Sequence, residues 1–154
     1  MVMTITLDKR QVDIKLNTVL SGLKNTKPLM KEIGQEAVTY FSDEVFQSQG
    51  REITGGAWRP LAISTLSARQ RRSGYYKNAP EATGKTLIWT GKLRRGFIDL
   101  VEATKVTITN RVPYFEFHQL GGGKLKQRKM LSITQKLITI VTNKSLKYIN
   151  KLIK

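Results

Sequence analysis

The pattern of apolar positions predicts a long helix near each end of the chain. The clearest helical period runs over Pro28–Gln47, where a proline suits the first turn and one apolar face recurs at Ile33, Ala37, Tyr40, Phe41 and Val45. A second helical pattern begins at Ser132, which stands at capping-box spacing from Gln135, and continues through Ile149, Leu152 and Ile153. The β-branched run LITIV leaves a strand open as an alternative in this last segment.

Alternating positions predict strands in two other places. The opening stretch Met3–Asp8 alternates and favours a short strand, while Asp13–Leu23 is also compatible with a helix. The runs FIDLVEA and KVTITN, separated by a turn at Ala103 and Thr104, predict an antiparallel hairpin. The expected fold class is therefore α+β: a small antiparallel β-sheet packed against a long helix of the N-terminal half, with a C-terminal helix and long docking loops.

The segment between the long helix and the hairpin is irregular. Glycines and a proline in GGAWRPL indicate a loop, Ser64–Arg72 is typical of a short basic helix, and Tyr75–Lys85 indicates a polar loop. Trp58 suits a partner interface and a place against the core helix equally well. In WTGKLRRG, Thr90 suits a helix N-cap and Leu93 faces inward, which leaves Arg94 and Arg95 for solvent or a partner.

Length and composition limit the class of protein. At 154 residues, with 40% hydrophobic and 25% charged side chains, the chain fits one folded domain spanning residues 1–154. It contains no cysteine, which excludes disulfides, thiolate metal sites and cysteine nucleophiles. Neither a signal-like N-terminus nor an apolar run of roughly 20 residues is present, so we expect a soluble protein without membrane contact, made and kept inside a cell.

The distribution of charge along the chain says more about possible partners than the net charge of +16 does. Residues 1–54 hold seven basic and seven acidic side chains, which cancel. Residues 55–95 hold nine basic side chains against the single acid Glu81, and nine further basic residues follow Glu116 with no acid among them. A positive field over part of the surface favours anionic partners, which include nucleic acid, acidic protein faces and membrane surfaces.

The stretch APEATGKT, residues 79–86, has the outline of a phosphate-binding loop. In that interpretation Lys85 would contact phosphate oxygens and Thr86 would hold magnesium. Such a loop functions between a buried strand and a helix whose amides face the phosphates. The preceding RRSGYYKN is not a buried strand, and no hydrophobic strand ending in aspartate follows. We therefore predict no nucleotide site and no cofactor.

His118 is the only histidine, so a catalytic triad or a metal site would have to be built around it. Zinc needs three or four ligands, whereas Glu116 and His118 supply two at most. General acid–base chemistry would need a matched carboxylate or nucleophile, and the sequence places none nearby. The favoured interpretation is a histidine that fixes a turn by hydrogen bonding, so we expect no metal and no catalytic residue.

Three glycines follow this histidine and precede a row of cations. Gly121, Gly122 and Gly123 permit positive backbone dihedral angles and close approach of another chain. The adjacent basic side chains suit a non-specific, salt-sensitive contact with nucleic acid, because no aromatic residues are interleaved for base readout; they are Lys124, Lys126, Arg128 and Lys129.

The order of these motifs resembles the phage virion morphogenesis family, the tail completion or neck proteins of Mu-like and P2-like bacteriophages. The resemblance rests on Trp58-Arg59-Pro60-Leu61, Thr65, Leu87, Thr90-Gly91-Lys92-Leu93, Tyr114, His118-Gln119 with a glycine pair, and Arg128 to Leu131. The chain departs from the family at Lys129 and Met130, where a proline and a phenylalanine are common, and at Phe115, where a small residue is frequent.

This resemblance implies a structural virion protein, not an enzyme, at the head-to-tail junction: it would lie in the neck or tail of the virion and, during assembly, in the host cytoplasm. It implies a ring of identical subunits, six-fold or alternatively twelve-fold, that contacts head-closure or connector proteins and tail-tube proteins, and possible non-specific contact with packaged DNA. GGAWRPL and Tyr75–Lys85 would order on assembly, and FHQLGGG would form a rigid corner. The expected subunit or partner contacts are Trp58, Arg59, Arg94, Arg95, Tyr114, His118, Gln119, Gly121, Gly122, Lys124, Lys126 and Arg128.

Two other functions remain open from the residues alone. A small basic nucleic-acid-binding protein is the main alternative, because the charge distribution by itself supports it. A nuclease that uses His118 is the third.

Overall fold

A computed structural model of the chain describes residues 9–73, 85–122 and 125–153. The predicted strand Met3–Asp8 lies outside the described residues, as do Gly123 and Lys124. The same holds for the predicted loop Tyr75–Lys85 and for APEATGKT, apart from their last residues.

The N-terminal half of the chain is helical. Helix α1 spans Lys9–Lys24, so the helical alternative for this region is confirmed. Helix α2 spans Lys27–Thr39 and continues through a π-helical turn, Tyr40–Glu44, into the short α3, Val45–Gln47. These three pieces form the predicted long helix. Tyr40 and Phe41, which begin the wider π-helical turn, are both buried in the core, as the predicted apolar face requires.

Short helices and loops follow the long helix. Helix α4 covers Arg51–Thr54, α5 covers Ile63–Ser73 and α6 covers Lys92–Arg95. The basic helix expected at Ser64–Arg72 is therefore present as α5. Leu93 in α6 is buried, as its place in the sequence pattern predicts.

The predicted hairpin forms the sheet of the described structure. Strand β1, Phe97–Val101, pairs antiparallel with β2, Val106–Asn110, in a register that places Phe97 opposite Asn110. Helix α2 packs against both strands. The contact is close at Gly34, where an added Cβ would meet the carboxylate of Asp99. The α+β class and the sheet-on-helix layout are confirmed.

The C-terminal region consists of α7, Phe115–Leu120, and α8, Gln135–Ile153. The strand alternative for LITIV is wrong, and so is the cap at Ser132. The hydroxyl of Thr134 instead accepts a hydrogen bond from the backbone N–H of Leu137 at 3.2 Å. Thr134 is held in this place because the Tyr40 hydroxyl lies 2.8 Å from its own hydroxyl.

One aromatic cluster forms the core. The Phe46 and Trp58 rings meet edge to face with centroids 5.3 Å apart, and Phe97 contacts Phe41, Phe46 and Phe115 at 5.7–6.3 Å. Met130 is fully buried among them. Such aromatic pairs add to the burial of apolar area that stabilises the fold.

Helix α1 contacts the rest of the molecule through its last turns. The Tyr148 hydroxyl of α8 donates to the carbonyls of Gly22 and Asn25, and Leu152 packs against Gly22. Among the α1 residues whose side chains are described, all except Val19 and Gly22 are exposed. Within the described ranges, no helix combines the length and the hydropathy needed to cross a membrane.

Candidate docking site

Gln119 holds the segment that follows the glycines. Its side-chain oxygen accepts hydrogen bonds from the backbone N–H groups of Met130 and Leu131, at 2.8 and 3.1 Å. Its amide nitrogen donates to the Leu131 carbonyl at 2.6 Å. One side chain at the end of α7 therefore fixes the chain eleven and twelve residues later, and the rigid corner predicted at FHQLGGG is present.

His118 contributes to this corner through its backbone and not through its side chain. Its carbonyl accepts a hydrogen bond from the N–H of Arg128 at 2.7 Å. Its imidazole Nδ1 is buried and has no hydrogen-bond partner among the described residues, so this ring nitrogen does not supply the turn-fixing hydrogen bond that was predicted for His118. Burial lowers the pKa of His118, and the charge of Arg128 lowers it further, so the ring is neutral at pH 7.

Trp58 holds the same segment from the other side. Its indole N–H donates to the Lys129 carbonyl at 2.8 Å, and its ring lies against Phe46 with 6% of the residue exposed. Of the two roles considered for Trp58, the structure shows the one in the core. The backbone N–H of Trp58 also donates a hydrogen bond to the Gln49 carbonyl at 2.6 Å. The GGAWRPL segment is accordingly held by contacts within its own chain.

The residues just before this fixed stretch, Leu125, Lys126 and Arg128, form one wall of a groove of about 820 Å³. The opposite walls come from α5, α6 and the loop before α6. The groove brings together five of the predicted contact residues, which are Arg59, Tyr114, His118, Lys126 and Arg128. We call this feature the basic groove.

The basic groove also contains two cations that the prediction did not include, Arg69 of α5 and Lys92 of α6. The basic helix pattern at Ser64–Arg72 was the available signal for Arg69, but it did not show which way the helix faces. In the structure the Arg69 guanidinium lies over the Trp89 ring, 5.1 Å from its centroid, and donates to the Lys85 carbonyl at 3.1 Å. This cation–π contact directs Arg69 toward the groove.

The electrostatics of the basic groove are one-sided, because none of the described residues that line it is acidic. Burial lowers the pKa of Arg128, and burial together with the charge of Arg128 lowers the pKa of Arg69. Both guanidinium groups nevertheless remain charged at pH 7. Between the cations the walls are apolar, with Leu61, Leu87 and Leu125 among them. The arrangement suits an anionic ligand that also carries apolar groups.

Other predicted contact residues lie outside the basic groove. Arg94 is not left for solvent or a partner, because it forms an ion pair with Asp43 at 2.8 Å. Arg95 donates to the Thr90 carbonyl at 2.8 Å. The N-cap of α6 is Gly91, with φ of 68°, and not Thr90 as predicted. The Thr90 hydroxyl accepts only a long hydrogen bond of 3.4 Å from the backbone N–H of Lys92.

The glycines after α7 serve the turn. Gly121 and Gly122 both have positive φ, at 75° and 148°, and a Cβ on Gly121 would come within 3.0 Å of the Gln127 side chain. Thr86, the magnesium ligand of the phosphate-loop interpretation, is buried, and its hydroxyl donates to the Arg59 carbonyl at 3.3 Å. In the part of the chain that the structure describes, no group of three or more histidine, aspartate or glutamate side chains is placed to hold a metal.

These observations define a small α+β domain whose main surface feature is a basic groove with apolar walls. The chain belongs to the phage virion morphogenesis family, which it matches over residues 7–145. No curated protein and no solved structure shows a significant match to it. Family membership gives the chain a structural role in the phage and associates it with the virion.

Proposed function

We propose that this chain is a neck or tail completion protein at the head-to-tail junction, where identical copies form a ring that joins or finishes the tail. The observation that carries the proposal is the family match over residues 7–145. In this role the chain contacts head-closure or connector proteins on one side and tail-tube proteins on the other. It makes no covalent change to either, and a six-fold ring is the expected assembly, with a twelve-fold ring as the alternative.

The exposed apolar faces of two helices support self-association. On α1, Leu16, Leu20 and Leu23 recur at helical spacing, and Leu16 and Leu20 are each 54% exposed. On α8, Leu146, Ile149 and Ile153 form a second exposed stripe. A ring needs two different surfaces on each subunit that fit one another, and these stripes provide two.

The basic groove supports contact with other virion proteins. Its charge is repeated in every subunit, so a ring would carry a large positive surface. We favour acidic protein faces over DNA as its partners, because a channel through which DNA must slide should not hold the DNA firmly. Packaged DNA then makes only non-specific, salt-sensitive contacts with exposed lysines.

Ring formation is tested by placing charge on the apolar stripes. We expect Leu16→Glu with Leu20→Glu, and separately Leu146→Glu with Ile149→Glu, to abolish the ring, because each pair buries two carboxylates in the proposed subunit contact. Native mass spectrometry of the chain with tail components measures the assembly. Electron microscopy of particles from a phage that lacks the gene, complemented with each variant, measures joining of heads to tails.

The matched controls are Asn17→Glu with Ser21→Glu and, separately, Asn143→Glu with Asn150→Glu, which add the same charge at exposed polar positions of the same two helices. These variants should assemble as the parent chain does. Joined, infectious particles in the complete absence of the chain would contradict the proposal. If the monomer instead binds free DNA tightly at low salt, loses it at high salt and never assembles, the small nucleic-acid-binding protein is the correct function.

A further inference from the structure

The basic groove has the size and the lining of a peptide-binding site. Its volume of about 820 Å³ lies in the range of concave ligand sites, and it is bounded on several sides by α5, α6, α7 and the segment after the glycines. The segment that forms one wall is fixed at its C-terminal end by Gln119 and Trp58, and at its start by backbone pairing of Leu125 with Gly122. A ligand therefore meets a preformed surface and does not have to order it.

The charges of the groove select an anion. Arg59, Lys92 and the pair Lys126 and Arg128 come from three separate parts of the chain and line one cavity, with no acidic residue among its described lining. The described hydrogen bonds of the Arg128 guanidinium go to the Arg59 carbonyl at 3.5 Å, which leaves it donor capacity for a ligand. Carboxylates are well matched to such planar donors.

The apolar walls distinguish a peptide from a nucleic acid. Leucine side chains lie between the cations, and covering them favours a ligand that carries apolar groups beside its charges. A phosphate backbone has none, and a duplex is too wide to enter a cavity of this volume. A single strand would have to stack bases, but the Arg69 guanidinium already covers one face of Trp89, and the edge of Tyr114 meets His118.

This chain is itself a poor source of the carboxylates. It has 11 acidic residues against 27 basic ones. Four of its described carboxylates are already in ion pairs: Glu36 with Lys144, Asp43 with Arg94, and Glu44 and Glu52 with Lys136. The ligand carboxylates are thus better supplied by another protein.

We propose that the basic groove binds an extended segment of a neighbouring virion protein in which acidic residues alternate with apolar ones. The identity of that neighbour rests on the function proposed above, whereas the recognition chemistry does not. The carboxylates pair with Arg128, Lys126 and Arg59 along the groove, and the apolar side chains pack on the leucines between them.

The test uses the full chain and a labelled eight-residue peptide that alternates aspartate or glutamate with leucine or phenylalanine. Fluorescence anisotropy should show saturable binding. Lys126→Gln with Arg128→Gln should weaken it by about tenfold or more, since two charge-assisted contacts are lost. The matched control, Lys147→Gln with Lys151→Gln, removes the same charge from α8 outside the groove and should change affinity by less than about twofold. Thermal unfolding confirms that each variant is folded.

Two further probes separate the alternatives. Peptides with asparagine and glutamine in place of the acids, or serine in place of the apolar residues, should each bind much more weakly. An equal loss in the α8 control would show general electrostatic attraction and overturn the proposal, and so would the absence of groove-dependent peptide binding. A single-stranded oligonucleotide that binds in the peptide's place, with loss of binding in the groove variant, would identify nucleic acid as the occupant.

The peptide experiment and the ring experiment are independent, because peptide binding is measured on the isolated chain. Absence of peptide binding would not contradict the proposed ring, and absence of a ring would not contradict peptide binding in the groove.

Discussion

At the scale of single residues, the corner after α7 depends on an amide side chain that bonds two backbone N–H groups and one carbonyl. Gln119 makes all three bonds within the segment that carries Met130 into the core. Lys129 is also suited to this place because its carbonyl, and not its side chain, receives the Trp58 indole N–H. These backbone contacts place the side chain of Met130 in the core.

Replacing Gln119 tests this dependence. Gln119→Leu leaves two backbone N–H groups and a carbonyl without partners, and we expect it to lower the free energy of unfolding by about 2–4 kcal/mol. Urea unfolding followed by circular dichroism measures the change. The control is Gln127→Leu, which removes one 3.1 Å bond from an exposed amide to the Gln119 carbonyl and should cost less than about 1 kcal/mol. Equal effects of the two substitutions would show that Gln119 does not hold the corner.

At the scale of elements, the hairpin and the long helix meet at a distance that only a glycine permits. Gly34 lies in the interior of α2, where alanine is normally favoured by about 1 kcal/mol. Its missing side chain makes room for Asp99 of β1, whose Cβ lies 3.1 Å from where a Gly34 Cβ would stand. Close packing of α2 on β1 thus outweighs local helix propensity at this position.

We expect Gly34→Ala to destabilise the chain by about 1–2 kcal/mol, because overpacking against Asp99 exceeds the gain in helix propensity. Chemical denaturation of the single variants and of the double variant with Asp99→Ala gives the coupling energy between the positions. The double variant should recover part of the loss, since removing the carboxylate relieves the contact. Gly56→Ala is the control: no atom lies within 4 Å of its added Cβ, so its effect should stay within about 0.5 kcal/mol. A Gly34→Ala variant more stable than the parent chain would show that the elements are not closely packed.

At the scale of the whole molecule, the aromatic cluster stabilises one part of the structure and leaves another with little support. The buried residues of this cluster come from α2, its π-helical turn, α3, α6 and β1, and from the segments that carry Trp58, Ile88 and Met130. No residue of α1 whose side chain is described is buried, and the described contacts of this helix with α8 lie in its last turns. An exposed helix of this kind opens at a low free-energy cost in the isolated chain.

Hydrogen exchange measures this difference directly. In the isolated chain, residues 9–21 should exchange far faster than residues 29–46, because opening α1 exposes almost no buried apolar surface. In the assembled ring, the amides of α1 should become protected if its apolar stripe meets a neighbouring subunit. Protection of α1 equal to that of α2 in the isolated chain would contradict this interpretation.

The sequence alone determined the elements that local periodicity specifies, namely the long helix, the hairpin, the basic helix α5 and the C-terminal helix. It also determined the family, through the order of short motifs between Trp58 and Leu131, and the family match extends over residues 7–145. Local patterns are sufficient to predict these elements. Three- and four-residue spacing places apolar side chains on one face of a helix, and strict alternation places them on one face of a strand, independently of the rest of the chain.

The tertiary structure alone decided which side chains meet. Thr134 caps α8 in place of Ser132 because Tyr40, 94 residues away, binds its hydroxyl. Trp58 belongs to the core because Phe46 and the Lys129 carbonyl lie beside it, and Arg94 is paired because Asp43 faces it. Arg59, Arg69 and Arg128 likewise line one groove because the fold brings distant parts of the chain together. Local sequence patterns do not specify which distant residues come into contact.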